Sequence, residues 1–389
     1  MHVGFSLLTL FPGRVGGSET NVRGLLEQFA AGNGPERVTV LANRHVAQAY
    51  RSLARGPVSL HEVRSYRAGE GDVTRAAAMA AAALAPRLAA RDVPGGIDVL
   101  HHPVTVPIPR LPGVPTVTTL LDLQHHELAQ SFSLGERLLR RWGYDGAARR
   151  ADLVVTISEH ARRQIGELGG VRADRIETIP LAVDRTRFNP TPTQADCALA
   201  ARLPARFVAY PANLWPHKNH ARLVKALAAA SDREVELVLS GQTYGRLDSL
   251  FALAAQVGVA NRVHHIGYLE PREMPALLRR AQALVFPSLF EGFGLPPLEA
   301  MACGCPVACS ESSSLPEVVG EAGLRFDPTS VEEIAGAISR LSTDEALRAS
   351  LRTAGIERSA TFSWAAAARA HVDLYRRAAE MRRESRRPR

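Results

Sequence analysis

Short apolar runs rich in β-branched residues alternate with longer helical patterns along the chain. This alternation constrains the fold more than any other feature, because it is typical of βαβ units whose parallel strands are buried on both faces by helices. The first series of predicted strands comprises Val3–Leu8, Val38–Ala42, Ile97–His101, Thr116–Leu121, Leu153–Ile157 and Ile176–Ile179. The second series comprises Phe207–Tyr210, Val235–Leu239, Val263–Ile266, Leu284–Phe286, Pro306–Cys309 and Leu324–Phe326. The pattern predicts an α/β protein with two doubly wound, Rossmann-like domains.

The 389 residues are more than one hydrophobic core usually supports, so two domains of roughly 200 residues each are expected. We place an N-terminal domain at 1–185, a linker at 186–205 and a C-terminal domain at 206–362. The linker contains an Asn-Pro-Thr-Pro-Thr run and has no clear period. Residues 363–389 are predicted to form a helix that returns to the first domain and ends in a basic tail. Such a helix would leave an interdomain cleft, where ligands of open α/β sheets normally bind.

A hydrophobic content of 46% with 22% charged residues excludes general disorder. The first residues lack a basic leader, which argues against a signal peptide. No apolar stretch approaches the length of about 20 residues that a transmembrane helix needs. Cys303, Cys305 and Cys309 lack the spacing of a metal or redox site, so we predict small buried side chains. A cytoplasmic protein is expected.

The net charge of +8 is carried almost entirely by arginine, since Lys218 and Lys225 are the only lysines. Five arginines lie in the segment 137–150, and seven lie in the segment 376–389. Such runs are usually solvated helix faces. With interleaved Leu and Trp they also suit peripheral contact with anionic lipid at the inner face of a membrane. No nucleic-acid partner is expected.

The segment 286–304 has the pattern of a strand, a turn with two glycines and a helix. Pro296 and Pro297 suit a first helical turn because proline has no amide hydrogen to leave unpaired. Glu291 is predicted in the turn and Glu299 in the first turn of the helix. Both would lie at the carboxyl end of a parallel strand, where amides and a helix terminus favour an anion or a sugar. An acidic residue that merely complements the helix dipole would explain Glu299 but not Glu291.

The Glu-x7-Glu spacing around Gly-Phe-Gly-Leu resembles the donor-sugar motif of retaining GT-B glycosyltransferases of the GT4 family. The resemblance implies that Glu291 contacts hydroxyls of the donor sugar and that Glu299 holds the nucleotide ribose. It also implies that the turn residues Gly292, Phe293, Gly294 and Leu295 face the donor. Leu269 belongs to a second segment, which is expected near the donor base.

Lys218 follows the first predicted strand of the second domain. It resembles the GT4 lysine that neutralises the donor diphosphate, a task that suits a compact ammonium charge. Many relatives carry an arginine five or six residues earlier, whereas Asn213 stands five residues before Lys218 here. An asparagine donates a hydrogen bond to a phosphate but supplies no charge. The alternative is a surface lysine beside a helix start.

Two glycines, Gly16 and Gly17, follow the first strand and would let the backbone approach a phosphate, with Ser18 as the N-cap of the next helix. By itself this pattern fits any tight turn, but it resembles the Gly-Gly loop of the GT4 family.

A further candidate follows the strand that ends near Leu121. The resemblance implies a histidine with an acidic partner that touch donor and acceptor hydroxyls. Leu121 stands where that histidine is common, while Asp122 is retained. His125 and His126 are the acceptor-side candidates to replace it, and a surface histidine pair is the alternative.

No Asp-x-Asp occurs in the chain, which removes the usual metal anchor of the other main glycosyltransferase architecture. We therefore expect no metal and no cofactor beyond the nucleotide-diphosphate sugar, with Lys218, Glu291 and Asp122 as catalytic residues. The resemblance implies retention of anomeric configuration, with assistance from the leaving phosphate. A GDP-mannose type of donor is favoured, with UDP- and dTDP-sugars as alternatives. The acceptor is expected to be a glycan, a lipid-linked sugar or a small molecule.

Two other functions stay open. One is a nucleotide-sugar epimerase of the same fold, which product analysis without an acceptor would reveal. The other is a catalytically weak partner protein that binds nucleotide-sugar, an alternative that Leu121 and Asn213 keep open.

Overall fold

The computed structural model describes residues 1–13, 16–66, 74, 78, 79 and 90–385. Contacts divide the chain into two compact units, one of Met1–Leu181 with Trp364–Arg389 and one of Ala182–Ser363. The C-terminal helix thus belongs to the first unit. The tail arginines at positions 386, 387 and 389 lie outside the described residues, as do positions 14 and 15 of the first Gly-Gly loop.

The first unit is built on a seven-stranded sheet with the order β3-β2-β1-β4-β5-β6-β7, in which every pairing is parallel. Its strands are β1 His2–Ser6, β2 Arg37–Ala42, β3 Val58–Glu62, β4 Val99–His102, β5 Thr116–Thr119, β6 Leu153–Thr156 and β7 Ile176–Thr178. Its described α-helices are α1 Gly17–Ala30, α2 Arg44–Ala49, α3 Gln124–Glu127, α4 Leu134–Arg140, α5 Gly146–Arg150, α6 Glu159–Glu167 and, from the C-terminus, α15 Trp364–Ser385.

Six of these strands match the prediction, whereas β3 was missed. The central strands are buried apolar runs, which sequence periodicity detects. Strand β3 is an edge strand and only its first residue, Val58, is buried. Its short, partly exposed pattern is therefore much weaker than that of its neighbours.

Helix α15 packs on α1 and on the first sheet. A Cβ atom on Gly24 would lie 2.4 Å from Cε2 of Trp364, so the glycine allows the two helices to approach closely. Further along α15, His101 on β4 joins this helix to the sheet. Its Nδ1 lies 2.7 Å from the Tyr375 hydroxyl and its Nε2 lies 2.8 Å from the hydroxyl of Thr119. All three side chains are buried, so the C-terminal helix is anchored by a satisfied polar network.

The second unit is built on a six-stranded parallel sheet with the order β10-β9-β8-β11-β12-β13. Its strands are β8 Phe207–Pro211, β9 Glu236–Ser240, β10 Val263–His265, β11 Ala283–Phe286, β12 Val307–Ser310 and β13 Leu324–Phe326. Its α-helices are α7 Gln194–Ala200, α8 His220–Ala229, α9 Leu247–Gln256, α10 Met274–Arg280, α11 Leu295–Ala302, α12 Leu315–Val319, α13 Val331–Thr343 and α14 Glu345–Ala360. All six strands predicted for this part of the chain are present.

The segment 186–205, interpreted above as a linker, lies in the second unit and contains α7. Asp196 anchors this helix, because its Oδ2 accepts a hydrogen bond of 2.6 Å from Nη2 of Arg279 on α10. Burial alone would raise the pKa of Asp196, but the hydrogen bonds from Arg279 and Thr193 lower it to about 2. The segment therefore packs as part of the second unit, although its proline-rich start is typical of a linker.

The cysteine prediction is confirmed, since Cys303, Cys305 and Cys309 are free and buried. Burial raises the pKa of the Cys303 and Cys309 thiols to about 12 each. Such thiols stay protonated and unreactive near neutral pH. In the ranges that the structure describes, no helix is long and apolar enough to cross a membrane.

Candidate active site

The turn between β11 and α11 carries the sharpest motif of the sequence. Gly294 caps the helix with φ +116°, and a Cβ atom there would lie 2.8 Å from Cδ2 of Leu315, so only glycine fits. Pro296 and Pro297 lie in the first turn, as predicted. Glu299 does not, because the helix already begins at Leu295 and Glu299 is its fifth residue. The side chain therefore projects from the second turn.

Two serines that sequence reasoning missed hold this turn in place. The backbone amide of Glu291 donates to Ser313 Oγ at 2.9 Å. The buried Ser314 hydroxyl lies 2.9 Å from the carbonyl oxygen of Glu291 and 2.8 Å from that of Phe293. Both serines follow β12, the strand beside β11. A run of serines after a buried strand was the available signal, and its meaning depended on knowing that these two strands are neighbours.

Lys218 and Glu291 form an ion pair. Lysine Nζ lies 2.5 Å from glutamate Oε1, and the side chains are only 17% and 13% exposed. The Tyr210 hydroxyl donates to the carbonyl oxygen of Lys218 at 2.7 Å, which fixes the backbone of the loop. The next residue, Asn219, has a left-handed φ of +62°, and its side-chain amide donates to the carbonyl oxygen of Pro287 at 3.0 Å. The structure thus brings together two residues that were predicted separately.

Asn213 braces two loops at the carboxyl ends of β8 and β9. Its Oδ1 accepts a hydrogen bond of 2.8 Å from the amide of Gln242. The loops touch here, since a Cβ atom on Gly241 would lie 2.7 Å from the carbonyl oxygen of Ala212. With Oδ1 bound to Gln242, the side-chain NH2 group is the one that would donate to a phosphate, and a contact of Asn213 with a donor stays a prediction. Leu269 is buried, and its contact with a donor also stays a prediction.

The pKa of Glu299, a half-buried residue, is shifted towards neutral pH. Burial raises its pKa to about 7, and the positive charge of Arg187 opposes that rise. The carboxyl group is therefore poised to respond to a hydrogen-bond donor, which would favour its charged form. A cavity of about 440 Å³ opens nearby between α8 and α9, but Lys218, Glu291 and Glu299 do not line it.

In the first unit, α1 begins at Gly17 and its N-cap is Gly16, with φ +45°. The prediction that Ser18 is the cap is wrong, because the helix starts at Gly17, two residues earlier than a cap at Ser18 would give. Among the described residues, none would lie within 4 Å of a Cβ atom on Gly16. The amide of Gly13 donates to Glu19 Oε2 at 2.6 Å and ties the loop to α1.

His125 and His126 share one carboxylate, that of Asp145. His125 Nε2 donates to Oδ1 at 3.1 Å and His126 Nε2 donates to Oδ2 at 2.9 Å. His125 and Asp145 are buried and His126 is half-buried, so the alternative of a surface histidine pair is wrong. Burial alone would raise the pKa of Asp145, but the two histidine hydrogen bonds lower it. Asp122 lies at the start of the same short helix, where its Oδ1 accepts from the amide of Gln124 at 3.1 Å.

His125, His126 and Asp145 form the one group in the described ranges whose ligand atoms are spaced for a metal ion. Their ligand atoms all lie within 4.8 Å of one another. Each histidine is satisfied by the carboxylate without an ion, so hydrogen bonding alone accounts for the arrangement. Asp145 is the partner that sequence reasoning missed, since it lies 20 residues beyond His125.

Two solved structures superpose on nearly the whole of this chain. A glycosyltransferase from Rickettsia africae ESF-5 superposes with a TM-score of 0.72 at 15% identity, over 97% of this chain and 98% of the other. Anabaena Alr3699/HepE, solved with UDP and glucose, superposes with a TM-score of 0.71 at 18% identity, over 96% and 99%. At such identities the similarity establishes the fold alone. Two Rossmann-like sheets of this order define a GT-B glycosyltransferase fold.

The sequence matches two family models, "Glycosyltransferase Family 4" over residues 15–187 and "Glycosyl transferases group 1" over residues 198–358. The chain belongs to the GT4-type glycosyltransferases. It is 35% identical to O-antigen chain mannosyltransferase B of Escherichia coli over 219 residues, 55% of this chain and 58% of that protein. It is 30% identical to the MMP alpha-(1->4)-mannosyltransferase of Mycolicibacterium hassiacum over 286 residues, 68% of this chain and 66% of that protein. The match thus spans less than two thirds of the length of these relatives.

Proposed function

We propose that this protein transfers a mannosyl group from a nucleotide-diphosphate mannose, of which GDP-mannose is the favoured form, to an acceptor hydroxyl. The observation that carries the proposal is the ion pair between Lys218 and Glu291 beside the glycine turn. The relatives named above as mannosyltransferases support the choice of sugar. They give no support to an epimerase or to an inactive binding partner.

In the proposed reaction, the acceptor oxygen forms a bond to the anomeric carbon while the bond from that carbon to the diphosphate breaks. The electron pair of the broken bond stays on the leaving phosphate oxygen, which also takes the proton of the acceptor hydroxyl. The product retains the anomeric configuration of the donor. The protein must chiefly stabilise the negative charge that grows on the diphosphate in the transition state, because this lowers the activation barrier.

Lys218 is proposed to stabilise that charge through an exchange of partners. In the structure, its ammonium group lies 2.5 Å from Oε1 of Glu291. A bound diphosphate would attract the ammonium group, and Glu291 would then accept hydrogen bonds from hydroxyls of the donor sugar. Glu299 would hold the nucleotide ribose through its carboxylate. The serine contacts keep the turn rigid during this exchange, so little reorganisation is needed.

The first unit is proposed to supply the acceptor side through Asp122, His125 and His126. Asp145 would position the two histidines, because each is held by one of its oxygens. A glycan, a lipid-linked sugar and a small molecule all remain candidates for the acceptor. We propose that the reaction needs no metal ion, and that it occurs in the cytoplasm, where four unpaired cysteines stay reduced.

A donor screen tests the proposal. Purified protein is incubated with GDP-mannose, UDP-glucose and dTDP-sugars, first to record thermal shifts and then to record transfer to a panel of acceptors. A ligand at 100 times its dissociation constant should contribute about 2.7 kcal/mol to stability. Preferred stabilisation by GDP-mannose with retained configuration in the product is expected. Conversion of the donor sugar in the absence of an acceptor would instead identify an epimerase.

A further inference from the structure

Helix α4 and the turn that follows it expose four large apolar side chains. Leu134 is 74% exposed, Leu138 and Leu139 are 67% exposed each, and Trp142 is 63% exposed. Leu134, Leu138 and Trp142 are spaced by four residues, so they lie along one side of the helical segment, with Leu139 beside them. We call these four residues the leucine face.

The opposite side of the segment is occupied by arginine. The guanidinium carbon of Arg140 lies 4.5 Å from the ring centroid of Phe132 and 5.5 Å from that of Tyr144. Arg137 and Arg140 are both less exposed than the leucines. An amphipathic helix on a water-facing surface has the reverse arrangement, with apolar residues inward and charges outward. The leucine face is therefore built to be covered by something other than water.

Positive charge adjoins the leucine face. Arg141 is exposed directly before Trp142, and the half-buried Arg137 and Arg140 belong to the same helical segment. The nearest acidic residue, Glu136, is engaged at the start of α4, where its Oε2 accepts from the amide and the hydroxyl of Ser133 at 2.8 Å each. The surface thus combines long apolar side chains with a basic rim.

We propose that the leucine face docks on an anionic lipid surface, with the leucines and Trp142 in the boundary between headgroups and acyl chains and the arginines on the headgroups. Tryptophan favours this boundary, and arginine reaches the headgroups while its aliphatic stem stays in apolar surroundings. A second copy of the chain fits less well, because a two-fold contact would bring the same arginines face to face. This docking is independent of the donor and of sugar transfer.

Vesicle sedimentation tests the docking with the full chain and no donor. Vesicles of phosphatidylcholine are compared with vesicles that also contain phosphatidylglycerol, at low and at high salt. The wild type should sediment with the anionic vesicles at low salt and bind more weakly at high salt. Leu138→Ser and Leu139→Ser should each weaken binding about tenfold or more. Arg141→Gln should weaken it about fivefold at low salt.

A matched control is Leu168→Ser, which removes an exposed leucine at the end of α6 that is not part of the leucine face. It should bind vesicles like the wild type. Trp142→Phe supplies a second readout, since it should keep binding but lose the blue shift of fluorescence that anionic vesicles cause in the wild type. Unchanged melting temperatures check that the substitutions leave the fold intact.

Three results would overturn the docking: no sedimentation of the wild type with anionic vesicles, equal loss in Leu138→Ser and Leu168→Ser, or a blue shift that survives in Trp142→Phe. A concentration-dependent dimer that Leu138→Ser abolishes, without vesicle binding, would assign the leucine face to a second copy of the chain.

Discussion

Replacing Lys218 by methionine removes the ammonium charge but keeps most of the apolar length of the side chain. The charge lies 2.5 Å from Glu291 Oε1, and both side chains are less than a fifth exposed. A hydrogen bond to a charged group contributes about 1.5–3 kcal/mol, and the remaining exposure to water favours the lower part of that range. Lys218→Met should therefore leave Glu291 largely desolvated without its partner.

A double-mutant cycle isolates the pair. Lys218→Met, Glu291→Gln and the double variant are unfolded with denaturant in the absence of ligand. Each single variant should lose stability, and the double variant should lose less than the sum, with a coupling of about 1–2 kcal/mol. The cycle measures the contact itself and does not depend on any assumption about the reaction.

The same variants separate the two proposed roles. Lys218→Met should lower the rate of transfer by about 10²–10³, as expected for the loss of one preorganised electrostatic group. It should also weaken nucleoside diphosphate binding about tenfold or more. Glu291→Gln should lower transfer while leaving nucleotide binding nearly unchanged, because Glu291 is assigned to the sugar.

Lys225→Met is the matched control, since Lys225 is the only other lysine and is exposed on α8. It should transfer sugar at the wild-type rate. Normal transfer by Lys218→Met would refute the assignment of this residue to the diphosphate. Zero coupling in the cycle would show that the ion pair does not persist in solution.

Three further predictions test other parts of the protein. Glu299→Ala should weaken nucleotide binding about tenfold or more. Because the pKa of Glu299 is about 7 and its ionised form accepts hydrogen bonds from ribose, the nucleotide affinity of the wild type should rise from about pH 6 to about pH 8. An affinity that does not change with pH would contradict the ribose role. EDTA should not change the rate of transfer; an enzyme silenced by EDTA and restored by a divalent ion would instead point to His125, His126 and Asp145 as ligands. Tyr375→Phe should lower the free energy of unfolding by about 1–3 kcal/mol, because it leaves a buried nitrogen of His101 without its hydrogen-bond partner. A melting temperature equal to that of the wild type would show that the network does not anchor α15.

The strands were predictable because each is a local run of buried residues. All six strands of the second unit and six of the seven in the first coincide with apolar runs. The edge strand β3 escaped because half-exposed residues carry little apolar signal. Helix α7 escaped because the prolines before it resemble a linker, while the contact that stabilises it comes from Arg279, 83 residues away.

The motif around Glu291 was predictable in kind but not in detail. Glycine and proline report local backbone geometry, so the turn and the helix start of α11 follow from them. The register of Glu299 and the N-cap of α1 were each wrong by a fraction of a turn. In both cases a glycine with positive φ is the N-cap, so the helix starts directly after that glycine without a side-chain cap.

The sequence by itself determined the two-sheet α/β fold and the GT4-type motif, because each depends on residues that are close together in the chain. Only the tertiary structure decided which of these residues meet. Lys218 and Glu291 lie 73 residues apart, yet they form an ion pair because β8 and β11 are adjacent in the sheet. The partnership of Asp145 with two histidines and the outward direction of the leucine face arise in the same way. A periodic pattern records that a side chain avoids water, whereas strand order and helix packing decide what it touches instead.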